Sequence, residues 1–335
     1  MEPYGDVVAD PVTRRTVEVP EGVRRKALAQ GADGRRWLDA LDDVVAQLER
    51  DWQLSMGAPF TGGSAGYVAQ AVTADGIDAV LKVAIPDGLD LHAFTNELQT
   101  LVIAEGRGYV RLLRHDETRR AMLQERLGRP LSDLGFPVRR QIEVIAETLQ
   151  RSWVAVPHGV PLPTGAAKAR WLAEFIEVAW RTLDRPCAAE TVKRALSFAS
   201  ARAAAFDVAD AVLVHGDVHP ANVLEDPTSG GERFKLIDPD GMLADRAYDV
   251  AIPLRGWNAE LLAGDAVWLV RDWCGYLRDL TGVEARAIWE WAFVERVSTG
   301  LFVTTLDRRG SVGREFLEVA ELLTDVDPSQ PAFWR

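Results

Sequence analysis

Two short apolar runs, each breaking off into a cluster of polar residues, limit what this chain can fold into more than anything else in it. "LVHGDVHPANVL" spans residues 213–224 and "FKLIDPDG" spans residues 234–241. Residues 211–214 and 233–237 read as strands. Asp217 follows the first strand in a glycine-containing turn, Asn222 opens the next apolar pair, and Asp238 ends the second strand. Asp, Asn, Gly and Pro are common in turns for local reasons, and either segment alone is explained that way. Together they do more. A carboxylate at a strand end can take a proton from a hydroxyl. An amide oxygen and a second carboxylate, with a hairpin between them, can ligate a hard cation such as Mg²⁺. A base and two oxygen ligands are the core of a phosphoryl-transfer site.

The flanking sequence has a clear order. Helical periodicity marks residues 20–30 and 34–52. Short strands with Gly- and Asp-rich breaks follow to about residue 126. Among them "AGYVAQAV" and "IDAVLKVAI" form a hairpin joined by Ala74, Asp75 and Gly76. Residues 89–105 read as a helix, and 109–116 and 119–127 as two more strands. Residues 141–153, 167–183 and 190–207 read as helices, and about 247–325 is mainly helical. The reading is an α+β chain of two lobes with a cleft between them. A small β-rich nucleotide-binding lobe with preceding helices spans 1–127, and a larger, mainly helical catalytic and substrate lobe spans 128–335.

Composition narrows the partners. The 335 residues are 47% hydrophobic and 26% charged, ordinary globular values. No apolar run reaches the roughly 18 residues of a membrane span, and the N-terminal segment lacks the apolar stretch of a signal peptide. Cys187 and Cys274 have no paired spacing, so a disulfide framework or zinc site is not expected and a reducing cytoplasm fits. With 50 acidic against 38 basic residues the net charge is −12, which repels a nucleic-acid backbone and suits a cationic small molecule. Nothing in the sequence marks an oligomeric state.

"HGDVHPANVL" followed by "LIDPDG" resembles the catalytic and metal-binding loops of the aminoglycoside phosphotransferase superfamily, small-molecule kinases with a bilobal protein-kinase-like fold. The "RLLRHD" strand, the "MLQERLGRPLSDLG" connection, "IDPDGMLADRAYDVA", the "VPEGV" opening and the "GRRWLDAL" helix resemble the streptomycin 6-kinase and hydroxyurea phosphotransferase group. The resemblance runs over residues 19–254, and beyond that only helical character matches. It implies ATP as nucleotide substrate and Mg²⁺ as cofactor. Asp217 matches the catalytic base, Asn222 the first metal ligand and Asp238 the metal-binding aspartate. Asp249 matches an aspartate that braces the catalytic loop through backbone N–H groups. His215 is read as holding the turn, His219 as doing the same or facing substrate, and Asp240 as an extra metal ligand or a solvated turn residue.

On the nucleotide side, strand alternation leaves open whether Lys82 faces water or a phosphate. The resemblance matches it to the phosphate-binding lysine, with Glu97 as the pairing glutamate and Glu105 as the fallback. Gly62, Gly63 and Ser64 lie in a loop whose N–H groups would approach phosphate oxygens. The Glu125 carbonyl and the Leu127 N–H would meet the adenine. The function implied is an ATP-dependent phosphotransferase acting on a hydroxyl of a small, cationic molecule of the streptomycin type. The alternatives are a metabolic sugar or amino-alcohol kinase on the same fold, and a nucleotide-binding pseudokinase scaffold, which has no need for the full set Lys82, Glu97, Asp217, Asn222 and Asp238. The acceptor pocket is expected among the helices of residues 137–200 and of the C-terminal segment. There Trp153, Trp257, Trp273, Trp289 and Trp291 are core or lining. Glu260, Asp272, Glu290 and Glu295 are solvated faces or cation contacts.

Overall fold

A computed structural model describes residues 16–61, 66–86, 92–231 and 233–334. Contacts divide the chain into two units, residues 1–91 with 113–126, and residues 92–112 with 127–335.

The first unit opens with α1 (Glu21–Ala29) and α2 (Gly31–Trp52). A sheet follows, made of β1 (Ser55–Pro59), β2 (Gly66–Val72), β3 (Asp78–Ala84), β4 (Leu112–Asp116) and β5 (Ala121–Glu125), in the order β1-β2-β3-β5-β4. Leu41, Val45, Leu48 and Trp52 recur at helical spacing along α2 and bury one face against Tyr67, Ala69, Ala71, Ala79, Leu81, Val83, Ala121 and Leu123. Each fully buried leucine contributes about 1.5–3 kcal/mol. The helix stops where Gln53 takes a left-handed conformation (φ 54°) and the Leu54 N–H bonds back to the Glu49 carbonyl at 2.8 Å. Antiparallel register aligns Ala69 with Leu81 and Leu81 with Leu123. Lys82 therefore lies on the face opposite α2, beside Val68 and Met122, and is nonetheless buried.

The second unit contains α3 (Ala93–Ala104), which the sequence reading grouped with the first lobe, then α4 (Val138–Ser152), α5 (Gly165–Thr182) and α6 (Ala189–Ala205). Four short strands follow: β6 (Val212–Val214), β7 (Val223–Glu225), β8 (Phe234–Leu236) and β9 (Met242–Ala244). The chain continues through α7 (Arg246–Ala251), α8 (Asn258–Ala263), α9 (Ala266–Thr281), α10 (Ala285–Leu306) and α11 (Val312–Leu323). The middle of this unit is α10. It is apolar nearly all round and buried accordingly, with Ile288, Trp289, Trp291, Phe293, Val294, Val297 and Leu301 enclosed by α5, α6, α7, α9 and α11. Trp273, Trp289 and Trp291 are thus core, the first of the two readings left open for them.

Two acids of α10 depart from the solvated-face reading given to them. Glu290 and Glu295 are buried, so neither is a solvated face. Glu290 is paired with Arg202 and Arg286, each at 2.8 Å, and Glu295 with Arg255. Helical spacing cannot reveal such pairs, because most of their partners come from distant segments. Among the described residues no helix is long and apolar enough to cross a membrane.

Candidate active site

Strand β6 pairs antiparallel with β9, and β7 with β8. The loop from β6 to β7 holds residues 215–222, and the loop from β8 to β9 holds 237–241. Three hydrogen bonds lace the two loops together. The Gly241 N–H donates to the His215 carbonyl at 3.0 Å, the Ile237 N–H donates to the Asn222 carbonyl at 3.0 Å, and the His215 ring meets the Ile237 carbonyl at 2.8 Å. Two turns that are separate in sequence thereby become one scaffold carrying Asp217, Asn222 and Asp238.

The turn at His215 is braced from beneath. The carboxylate of Asp249, on α7, accepts the backbone N–H groups of His215 and Gly216, both at 2.9 Å, and the Trp153 indole N–H at 3.3 Å. Burial pushes this carboxyl above its ordinary range, against the pull of His215 and the two N–H groups. The brace expected of Asp249 is therefore present as geometry. Gly216 has φ 91°, and a Cβ there would sit 3.0 Å from the Asp240 Cβ, so glycine is required. Gly241 (φ 68°) is tighter still: a Cβ would lie 2.0 Å from Thr100 Oγ1 and 2.8 Å from the Asn96 carbonyl of α3. His215 stacks on Tyr109 with ring centroids 5.9 Å apart.

Asp217 is partly exposed and lies between Arg255 and His219. Its Oδ1 accepts a hydrogen bond from Arg255, and its Oδ2 lies 3.6 Å from His219 Nε2. Burial acts to raise its pKa, but Arg255 above all, with His219 and His215 nearby, outweighs it and holds the carboxyl below its ordinary range. The Asn222 amide N–H donates to the Asp217 carbonyl at 3.1 Å, which leaves Asn222 Oδ1 as the amide's acceptor atom. Asp238 follows Ile237 directly, is exposed, and takes a left-handed backbone (φ 56°), uncommon for a side chain with a Cβ. An amide oxygen and one carboxylate fit Mg²⁺, which keeps water and phosphate oxygens in its shell. No group of three or more His, Cys, Asp or Glu side chains forms a self-sufficient metal centre among the described residues. Asp240 is exposed in the same turn.

Arg255 was not singled out in the sequence. It ends a short helical turn, Ile252–Arg255, after α7, and bridges Asp217 to Glu295 Oε2, the latter at 3.1 Å. Burial works against its charge, and the two carboxylates more than compensate, so its pKa is raised. The only hint in "YDVAIPLRG" is an arginine closing an apolar run.

The residues expected to meet the nucleotide are placed as follows. Lys82 is buried on β3 of the first unit, and Glu97 is buried on α3 of the second. Glu125 closes β5, and Leu127 lies two residues on in an irregular stretch, where the Gly128 N–H bonds to the Glu225 carbonyl at 2.8 Å. Gly62, Gly63 and Ser64 lie outside the described residues.

The chain has known relatives. Residues 51–302 match the aminoglycoside/hydroxyurea antibiotic resistance kinase family. The chain belongs to that family. A streptomycin 6-kinase of Streptomyces griseus is 30% identical over 260 residues, which cover 76% of this chain and 80% of that enzyme. A hydroxyurea phosphotransferase of Kitasatospora aureofaciens is 33% identical over 263 residues, covering 74% of this chain and 73% of that enzyme. Among solved structures, a choline kinase of Streptococcus pneumoniae superposes with a TM-score of 0.56 at 15% identity, over 85% of this chain and 99% of that one. The fold is therefore the protein-kinase-like α+β fold that the sequence implied, and this kinase family acts on small molecules.

Proposed function

We propose that this member of the family is an ATP-dependent phosphotransferase that moves the γ-phosphoryl group to a ring hydroxyl of a cationic aminocyclitol of the streptomycin type. The observation that carries the proposal is the lacing of two loops that brings Asp217, Asn222 and Asp238 into one scaffold. The likeness to a streptomycin 6-kinase supports the choice of acceptor. In this reading Asp217 accepts the acceptor's proton, and Asn222 Oδ1 and the Asp238 carboxylate hold Mg²⁺. When bound, that ion supplies charge neutralisation at the phosphates. Lys82 meets phosphate oxygens, Glu97 supports the nucleotide site, and the backbone at Glu125 and Leu127 meets the adenine.

The division of labour is then a first unit that serves the nucleotide and a second that supplies the base, the metal ligands and the acceptor pocket. Because phosphoryl transfer leaves little covalent work to the protein, the residues act by position and by charge. The fully buried thiol of Cys274 and the mostly buried Cys187, whose pKa is pushed up to about 12, have no redox role and suit a reducing cytoplasm.

Incubation with Mg-ATP and streptomycin, followed by mass spectrometry, is expected to give a phosphorylated product. The likeness to a hydroxyurea phosphotransferase makes hydroxyurea the second acceptor to try. Product on hydroxyurea, on a neutral sugar or on an amino alcohol, with none on streptomycin, would overturn the choice of acceptor while keeping the reaction.

A further inference from the structure

We infer that Arg255 is the positioning residue for the catalytic carboxylate, anchored through Glu295 and Tyr248 to the buried helix of the second unit. The inference rests on the reading of Asp217 as the base.

The chain of contacts is continuous. Arg255 donates from Nη2 to Asp217 Oδ1 and from Nη1 to Glu295 Oε2 at 3.1 Å. The other oxygen of Glu295 accepts the Tyr248 hydroxyl at 2.5 Å. Tyr248 is fully buried and held edge-on against Trp291, with ring centroids 4.8 Å apart and planes at 90°. The backbone on either side of Arg255 is fixed independently. Arg296, the next residue of α10 after Glu295, donates to the Leu254 carbonyl, to Asn258 Oδ1 and, at 3.4 Å, to the Gly256 carbonyl.

Neutralising Glu295 alone would need only one arm of the guanidinium. The second arm ends on a carboxylate whose side chain is 34% exposed, where a bond of purely structural purpose gains least. Its geometric effect is specific. A carboxylate can turn about its last torsion and offer either oxygen. With Oδ1 held by a half-buried fork that Glu295 anchors, Oδ2, the oxygen on the His219 side, is the one left to receive an acceptor hydroxyl. Transfer between positioned groups is steep in distance and angle, and a misplacement of about 1 Å can cost about 100-fold in rate.

The test compares Arg255→Gln, Arg255→Lys, Glu295→Gln, Asp217→Asn and the double variant Arg255→Gln/Asp217→Asn. ADP release is followed with Mg-ATP and streptomycin, and with water as sole acceptor, and thermal melting and ATP binding check each fold. Arg255→Gln is expected to lower kcat by about 100-fold with the KM for ATP unchanged. Arg255→Lys, which keeps the charge but loses the fork, is expected to fall between it and wild type. Glu295→Gln is expected to lose less than Arg255→Gln, and the double variant to be no slower than Asp217→Asn alone. If Arg255→Gln fails to fold, the lysine and Glu295 variants carry the same kcat-against-KM comparison. Wild-type kcat in Arg255→Gln, or a faster rate, together with a large loss in Asp217→Asn, would overturn the positioning role and leave the base in place. A wild-type rate in Asp217→Asn, or no ADP release by the wild-type chain with either acceptor, would instead remove the reading on which the inference stands.

Discussion

The tautomer of His215 is fixed from both sides. Its Nε2 faces the Ile237 carbonyl at 2.8 Å and must carry the proton, while its Nδ1 accepts the Asp217 N–H at 3.1 Å and must not. Only the neutral ring satisfies both, and burial lowers its pKa in the same sense. The consequence for stability has a definite sign. The unfolded histidine takes up a proton below about pH 6.5. The folded one resists until lower pH, so folding stability is lost as pH falls through that window, at up to about 1.4 kcal/mol per pH unit. Urea titrations at pH 7 and pH 5 are expected to show a larger drop for the wild-type chain than for His215→Gln. Equal drops would mean that the ring is not held neutral. The structural role read for His215 from the sequence is therefore accounted for by hydrogen bonds. The position of Asp249 under the turn was legible only through the resemblance, because 34 residues separate it from His215.

Among the elements, α2 and the β2–β3 hairpin were legible because each is long enough to show its period: α2 runs for 22 residues and β2 and β3 for 7 each. The strands that build the site are only three residues long, and three residues carry no period. β6 and β8 were legible only through the apolar runs at 211–214 and 233–237, not through a period, and β7 and β9 went unread. The pairing of Arg255 with Asp217 and Glu295 was illegible on other grounds, since 38 and 40 residues separate the partners and no local pattern reports an ion pair across a fold. What joins the site to α3 is the close approach at Gly241. Gly241→Ala combines a left-handed backbone with a collision at Thr100 Oγ1 and is expected to cost about 2 kcal/mol or more. That hydroxyl is buried and makes no hydrogen bond. Thr100→Ala in the same chain is expected to return part of the loss, leaving the backbone strain. Chemical denaturation of the single and double variants measures this, and strict additivity would contradict the contact.

For the molecule as a whole, the reaction type was more legible than the acceptor. The two loops carry the chemistry in a few adjacent residues. The half in which the acceptor pocket is expected is helical, its tryptophans Trp273, Trp289 and Trp291 are core, and its acids Glu290 and Glu295 are spent on the protein's own arginines. A fold constrains a reaction far better than it constrains a substrate, so the acceptor rests on likeness to relatives. The central claim is that the turn after β6 carries the base of a phosphoryl transfer. The most direct test is the kcat of Asp217→Asn on whichever acceptor the wild-type chain phosphorylates, measured beside its affinity for Mg-ATP. The expected result is a kcat lowered about 100- to 10,000-fold with nucleotide affinity unchanged. A kcat within about tenfold of wild type would contradict it.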